Sequence, residues 1–328
     1  MTQTTRAPLR RLLSSPEGRL AVIAAVIFVT MSALSPDRFL SLQNMTSMAF
    51  QFPEFAILAL AMTLTMLTGG IDLSVVGIAN LSAIVAALIL TRLTGSPDGA
   101  AVFLGAMAAS LAVGMVAGLF NGLLVARLGL PPILATLGSG LIFTGLAIAL
   151  TGGSAVMGLP PAAAWIGNST VLGVPAPLIL FGALAVGLSL VLTRTAFGVK
   201  VRMFGANPLA ARYAAIDIDA MLIRVYVASG GLAAIAGLVV MSRANSAKAD
   251  YGSSYLLLAV LIAVLGGVNP YGGYGRIIGV VLAVLSMQFL SSGLNMLGVS
   301  NFARELIWGS LLIFVMIVNT WRPAGRRP

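Results

Sequence analysis

The chain has 328 residues, of which 59% are hydrophobic and 9% charged, with a mean hydropathy of +1.03. Soluble domains carry ~25% charged residues, so the composition excludes a soluble globular class and points to an all-α polytopic membrane protein. The net charge of +10 is better explained by basic loops facing the cytoplasm than by a nucleic-acid partner, and the lack of cysteine and histidine removes disulfides, thiolate chemistry and the commonest metal ligand, so neither metal nor cofactor is expected.

Residues 1–19 form a basic tail without a small-residue cleavage signal, and 20–34 reads as a retained first span. Residues 40–52 mix Ser, Gln, Asn and Thr with apolar side chains, as an interfacial segment does. Pro53 then opens a largely apolar run to residue 93. From 55 to 93 a continuous helix would be about 58 Å long, roughly twice the ~30 Å hydrocarbon layer, so the run has to turn back. The turn falls at Gly69-Gly70-Ile71-Asp72-Leu73-Ser74. Gly69 and Gly70 provide backbone freedom, and Asp72 either caps the next helix or belongs to a transport pathway.

Residues 94–99 are a turn cluster, and 100–128 is an apolar stretch in which Gly114 and Gly118 share one helix face, a packing feature. A span at 133–150 precedes an uncharged Gly/Pro-containing loop at 151–175. After a span at 177–192 comes a charged block, 194–224, and then spans at 225–241, 255–265, 277–297 and 306–319. The reading is one transmembrane domain, 1–328, with about ten transmembrane helices and a second basic tail at 320–328. With the amino terminus inside, 14 basic residues face the cytoplasm and 5 face outward. Both termini are then cytoplasmic.

A second glycine cluster, Gly266-Gly267-Val268-Asn269, follows an apolar half-length helix as the first does, 197 residues later, which makes an internal repeat a candidate. Gly69, Gly70, Asp72, Gly266 and Gly267 are therefore read as structural hinges. Polar residues within spans, Asn80, Asn121, Tyr226, Gln288 and Asn295, are candidates for a pathway taking a hydroxylated solute, each weighed against an interhelical hydrogen bond. In the block at 194–224, Asn207-Pro208 reads as a cap and a first-turn proline, followed by a short helix, Leu209-Ala210-Ala211-Arg212, with small residues exposed for docking into a partner's groove. No Gly-x4-Gly-Lys-[Ser/Thr] occurs in the chain, so it has no P-loop, and ATP hydrolysis by that mechanism would need a partner.

These residues together resemble the permease subunits of bacterial ABC importers for monosaccharides, the ribose, xylose, galactose, rhamnose and autoinducer-2 type. The resemblance covers about residues 20–320. It rests on Ala61-Met62-Thr63-Leu64 leading into Gly69 to Ser74, on Gly205-Ala206-Asn207-Pro208 with Ala210-Ala211, on Leu265-Gly266-Gly267 through Gly272-Gly273-Tyr274-Gly275, and on Gly293-Leu294-Asn295-Met296-Leu297-Gly298-Val299. The chain departs from that family in having Ala214-Ala215-Ile216 where Ser-Gly-Ile is usual, and Asn269-Pro270 where a Ser or Thr stands. The resemblance implies a bacterial inner-membrane protein that is not an enzyme and forms a sugar pathway. It also implies a second permease in a homo- or heterodimer, a periplasmic sugar-binding protein and ABC ATPase subunits. ATPase docking would fall to Gly198, Gly205, Asn207, Ala210, Ala211 and Arg212. The competing reading is an ion-coupled secondary transporter whose broken helices bind Na⁺.

Overall fold

The computed structural model describes residues 15–92 and 99–320. Arg6, Arg10 and Arg11, the turn cluster at 94–98, and Arg322, Arg326 and Arg327 lie outside the described residues. The helices are α1 (Pro16–Leu34), α2 (Pro36–Phe39), α3 (Leu42–Met66), α4 (Val75–Arg92), α5 (Gly99–Ala126), α6 (Pro132–Thr151), α7 (Trp165–Asn168), α8 (Ala176–Arg194), α9 (Ala196–Ala206), α10 (Pro208–Tyr213), α11 (Ile218–Ala244), α12 (Tyr255–Leu265), α13 (Ile277–Met296) and α14 (Asn301–Thr320). A small hairpin pairs β1 (Thr170–Val171) with β2 (Val174–Pro175), Thr170 opposite Pro175.

Among the described residues, eight helices are long and apolar enough to cross a membrane: α1, α3, α4, α5, α6, α8, α11 and α13. Apolar α12 has only 11 residues, about 16 Å at ~1.5 Å per residue, and α14 has 20. Those two lie where the sequence reading puts its eighth and tenth spans, but neither is among the eight helices that meet the length and hydropathy needed to cross.

The interior is built from α3, α4 and α11, which are mostly buried. Helix α11 is the hub, packed against α5, α4 and α3. Small residues let it approach α5 closely: a Cβ added at Gly114, Gly118 or Gly230 would overlap the facing helix backbone. Without a strong hydrophobic drive between helices in lipid, such close packing is a main source of their association.

Helix α3 corrects the sequence reading. Residues 42–52 are not a separate interfacial segment but the first part of one 25-residue helix, capped by Ser41, whose hydroxyl accepts from the Asn44 N–H at 3.2 Å. Pro53 lies inside that helix. An interior proline removes one helical hydrogen bond, a loss that membrane helices tolerate where neighbours satisfy the freed group. In consequence Glu54, which precedes the span expected from residue 55, sits well inside α3 and is 9% exposed. Asp72 is thus not the only acid deep in the fold.

Two ends can be distinguished. Segments 67–74, 127–131, 195–217 and 266–276 gather at one, as the Leu67–Gly273 hydrogen bond and the Arg127–Asp219 and Arg276–Glu17 ion pairs show. Segments 152–175 and 245–254 meet at the other. There Val156 pairs with Ala247, the Gly167 N–H donates to Ser242 Oγ at 2.7 Å, and Asn168 Nδ2 donates to the Ser242 carbonyl at 2.8 Å. The uncharged loop is therefore pinned over the end of α11.

Candidate docking and coupling site

Helices α3 and α12 end in the same way. After α3, the Gly70 N–H donates to the Thr65 carbonyl at 3.2 Å and the Gly69 N–H to Met66 at 2.9 Å. After α12, the Val268 N–H donates to Ala263 and the Gly267 N–H to Val264, both at 3.0 Å. This is the paired 6→1 and 5→2 bonding of a Schellman cap, which places its C′ residue in the left-handed region. Gly69 has φ +79° and Gly267 φ +80°, values that disfavour any residue with a Cβ. The caps equate Gly69 with Gly267, one position away from the sequence pairing of Gly69 with Gly266. Gly266 instead packs tightly on α13 at Gly279 and Val280. The acid and the amide nonetheless play matching local roles, since Asp72 Oδ1 accepts the Ser74 N–H at 3.0 Å and Asn269 Oδ1 the Tyr271 N–H at 3.1 Å.

The two turns touch, and Gly205 stands between them. The Gly273 N–H donates to the Leu67 carbonyl at 2.9 Å. A Cβ on Gly205 would overlap both the Leu67 oxygen and the Gly273 nitrogen, and one on Gly272 would lie 2.8 Å from both the Gly205 oxygen and the Gly69 nitrogen. The carboxyl end of α9 is thus wedged against both hinges through backbone alone. Its amino end is fixed as well: Thr195 caps α9, and a Cβ on Gly198 would overlap the Leu192 backbone.

Helix α10 continues from this wedge. Asn207 is its N-cap, accepting from the Ala210 N–H at 3.0 Å, and Pro208 opens its first turn, in keeping with the sequence reading. The expected exposure of small residues does not hold for Ala211, which is completely buried. The outward side chains are Arg212 with Leu209 and Tyr213, the last two 59% and 84% exposed. Val199 and Met203 on α9, and Tyr271 and Tyr274 on the second turn, add exposed apolar surface at the same end. The sequence reading missed these partner-facing candidates because it weighed small residues rather than large apolar ones in a charged block. Helix α10 ends in another Schellman pair, Ile216 N–H to Ala211 and Ala215 N–H to Arg212. Its left-handed residue is Ala215, at φ +52°.

Asp72 lies at the centre of a buried polar group. Its Oδ1 accepts from the Ser74 N–H at 3.0 Å and the Ser74 hydroxyl at 2.6 Å, and Oδ2 from the Ser229 hydroxyl of α11 at 3.1 Å. Asn121 on α5 donates to Ser74 Oγ at 2.7 Å, and Thr136 on α6 receives the Leu73 N–H and donates to the Ile71 carbonyl, both at 3.0 Å. The turn is thereby tied to α5, α6 and α11.

The five pathway candidates from the sequence do not converge. Asn121 and Tyr226 are fully buried beside the first hinge, where a Cβ on Gly70 would come within 2.7 Å of the Tyr226 hydroxyl. Asn80 fastens α4 to the opposite end, donating to the Ala249 and Tyr251 carbonyls at 2.8 and 2.9 Å. Gln288 and Asn295 lie on α13, Gln288 lining a polar cavity and Asn295 a smaller one adjoining it. No cluster of three or more metal-ligating side chains occurs among the described residues.

Residues 44–318 match the family described as branched-chain amino acid transport system / permease component. Among curated proteins, the chain is similar to the autoinducer 2 import system permease protein LsrD of Enterobacter sp. strain 638, with 34% identity over 92% of this chain and 91% of that protein. It is also similar to LsrD of Klebsiella pneumoniae subsp. pneumoniae, with 36% identity over 91% of this chain and 89% of that protein. For LsrD of Escherichia coli K12 the identity is 34%, over 91% and 90% respectively. No solved structure matches the chain at a significant level.

Proposed function

The chain belongs to the family of branched-chain amino acid transport system / permease components, and from that premise we propose that it carries a small sugar-like solute through the bacterial inner membrane, with both termini cytoplasmic. It is the transmembrane subunit of an ABC importer and works with ATPase and solute-binding partners. As such it performs no bond chemistry, and an ion-coupled mechanism is not favoured. The solute is drawn from the relatives, named as autoinducer 2 import permeases. A second permease completes the pathway.

In this reading α9 and α10 receive the ATPase. The carrying observation is the wedge: α9 abuts both hinge turns through Gly205, and α10, which follows it directly, bears exposed Leu209, Arg212 and Tyr213. Gly198 and Ala211 are buried and shape this element, while exposed Asn207 and half-buried Ala210 remain docking candidates beside Arg212. An ATPase that prefers one placement of α9 then favours one packing of α3–α4 and α12–α13, which is how differential binding shifts a conformational equilibrium. Asn80, Asn121, Tyr226, Gln288 and Asn295 remain pathway candidates for another conformation, in which helices separate along α4, α11 and α13.

Affinity purification in mild detergent tests the reading. A co-purifying ABC ATPase and ATP-dependent uptake in vesicles are expected. Uptake driven by a Na⁺ gradient without ATP would overturn it.

A further inference from the structure

At the end away from the glycine junction, α3, α11, α12, α13 and α14 enclose a cavity of about 360 Å³. That is the size of a small-molecule site, ~300–1,000 Å³. Its wall carries Glu54, Arg243, Arg304 and Glu305, two charges of each sign, so the lining is neutral as a set.

The Glu54 carboxylate is engaged at both oxygens. Arg243 Nε lies 3.0 Å from Glu54 Oε1, and the Tyr255 hydroxyl donates to Glu54 Oε2 at 2.9 Å. Glu305 accepts from the Ser254 hydroxyl. Donors are left over: Arg243 Nη1 and Trp308 Nε1 are buried with no hydrogen-bond partner. Each such orphan costs ~1–3 kcal/mol, and an ion pair inside a helix bundle is itself expensive and often functional. An apolar core would avoid both costs. Spare donors on a neutral wall, beside an indole, suit an uncharged ligand rich in hydroxyl oxygens, which offers acceptors to the donors and a C–H face to the ring. A zwitterionic amino acid fits less well, because it also brings an ammonium donor, and the unpartnered buried side-chain atoms on this wall are all donors.

We propose that this cavity binds a neutral polyhydroxylated solute of monosaccharide size, held by Arg243 and Trp308 with Gln288 alongside, while Glu54 orients the guanidinium. The proposal rests on the reading of the chain as an importer's pathway subunit and names where that pathway holds its solute.

The natural absence of cysteine provides the assay. Ser291→Cys places one thiol on the cavity wall. The variant, purified with its partner ATPase in nanodiscs, is reacted with a charged thiosulfonate reagent in the presence of D-ribose, D-xylose, D-galactose or L-rhamnose, and of L-leucine as the zwitterionic comparison. At about 50 mM sugar and a Kd of ~10 mM, labelling slows about sixfold. The expected result is that at least one sugar slows labelling and leucine does not, and that adding Trp308→Phe or Arg243→Gln abolishes protection while labelling persists. Labelling that no sugar slows, that leucine slows, or that does not occur would overturn the proposal. Retention of the co-purified ATPase in the same preparation separates that result from failure of the importer reading, which would lose the partner.

Discussion

Replacing Gly205 by alanine adds a methyl group where three backbone segments meet. Helix propensity alone favours the change by ~1 kcal/mol, so a freely solvated glycine at this point of α9 would gain stability. The surroundings reverse the sign. The new Cβ overlaps the Leu67 carbonyl oxygen and the Gly273 nitrogen, and neither is the end of a flexible side chain that can swing aside. Overpacking of this kind costs ~1–3 kcal/mol, and prising Leu67 from Gly273 forfeits a hydrogen bond worth ~0.5–1.5 kcal/mol. The net expectation is a destabilisation of about 1–3 kcal/mol, concentrated at the contact between the docking helix and the hinges. ATP hydrolysis and solute uptake are measured together in proteoliposomes containing the partner ATPase, with thermal unfolding alongside. Uptake per ATP should fall sharply while hydrolysis continues. Gly182→Ala in α8, where an added Cβ meets nothing within 4 Å, should leave both unchanged. Normal unfolding and normal coupling in Gly205→Ala would refute the wedge.

Asp72→Asn replaces one acceptor oxygen with a donor amide facing donors from Ser74 or Ser229, so thermal unfolding should report a loss of ~1–3 kcal/mol, with uptake reduced. Ala215→Gly relieves an alanine held at φ +52° and should stabilise the chain by about 1 kcal/mol, read as a raised Tm. Arg127→Ala removes a solvent-exposed pair with Asp219 at 3.5 Å. It should change stability by no more than ~0.5 kcal/mol, and less in high salt.

Much of the fold was legible because each feature was local. Gly69 and Gly70 interrupt an apolar run too long to cross once, and Asn207-Pro208 announces a helix start whatever surrounds it. Glu54 was misplaced for the same reason: Pro53 reads locally as a helix start, and only packing along α3 shows that the helix runs through it. The wedge of Gly205 between Leu67 and Gly273, and the partnership of Glu54 with Arg243 and Tyr255, join residues far apart in the chain, which no spacing rule reveals. Ala211 was misread because a short helix in a charged block looks solvated, whereas its inner face packs on the protein. The one-residue offset between the two glycine caps was hidden because both turns contain adjacent glycines, and only the backbone hydrogen bonds distinguish which of each pair is left-handed.

The central claim, that α10 meets an ATPase at the cytoplasmic end, is open to one direct measurement. In a chain without native cysteine, Tyr213→Cys carries a photoactivatable crosslinker into membranes containing the intact importer, with Leu172→Cys, 99% exposed at the opposite end, as its counterpart. The account predicts an ATPase adduct from position 213 and none from 172. An ATPase adduct from 172 instead, or from neither position in a complex that still hydrolyses ATP, would contradict it.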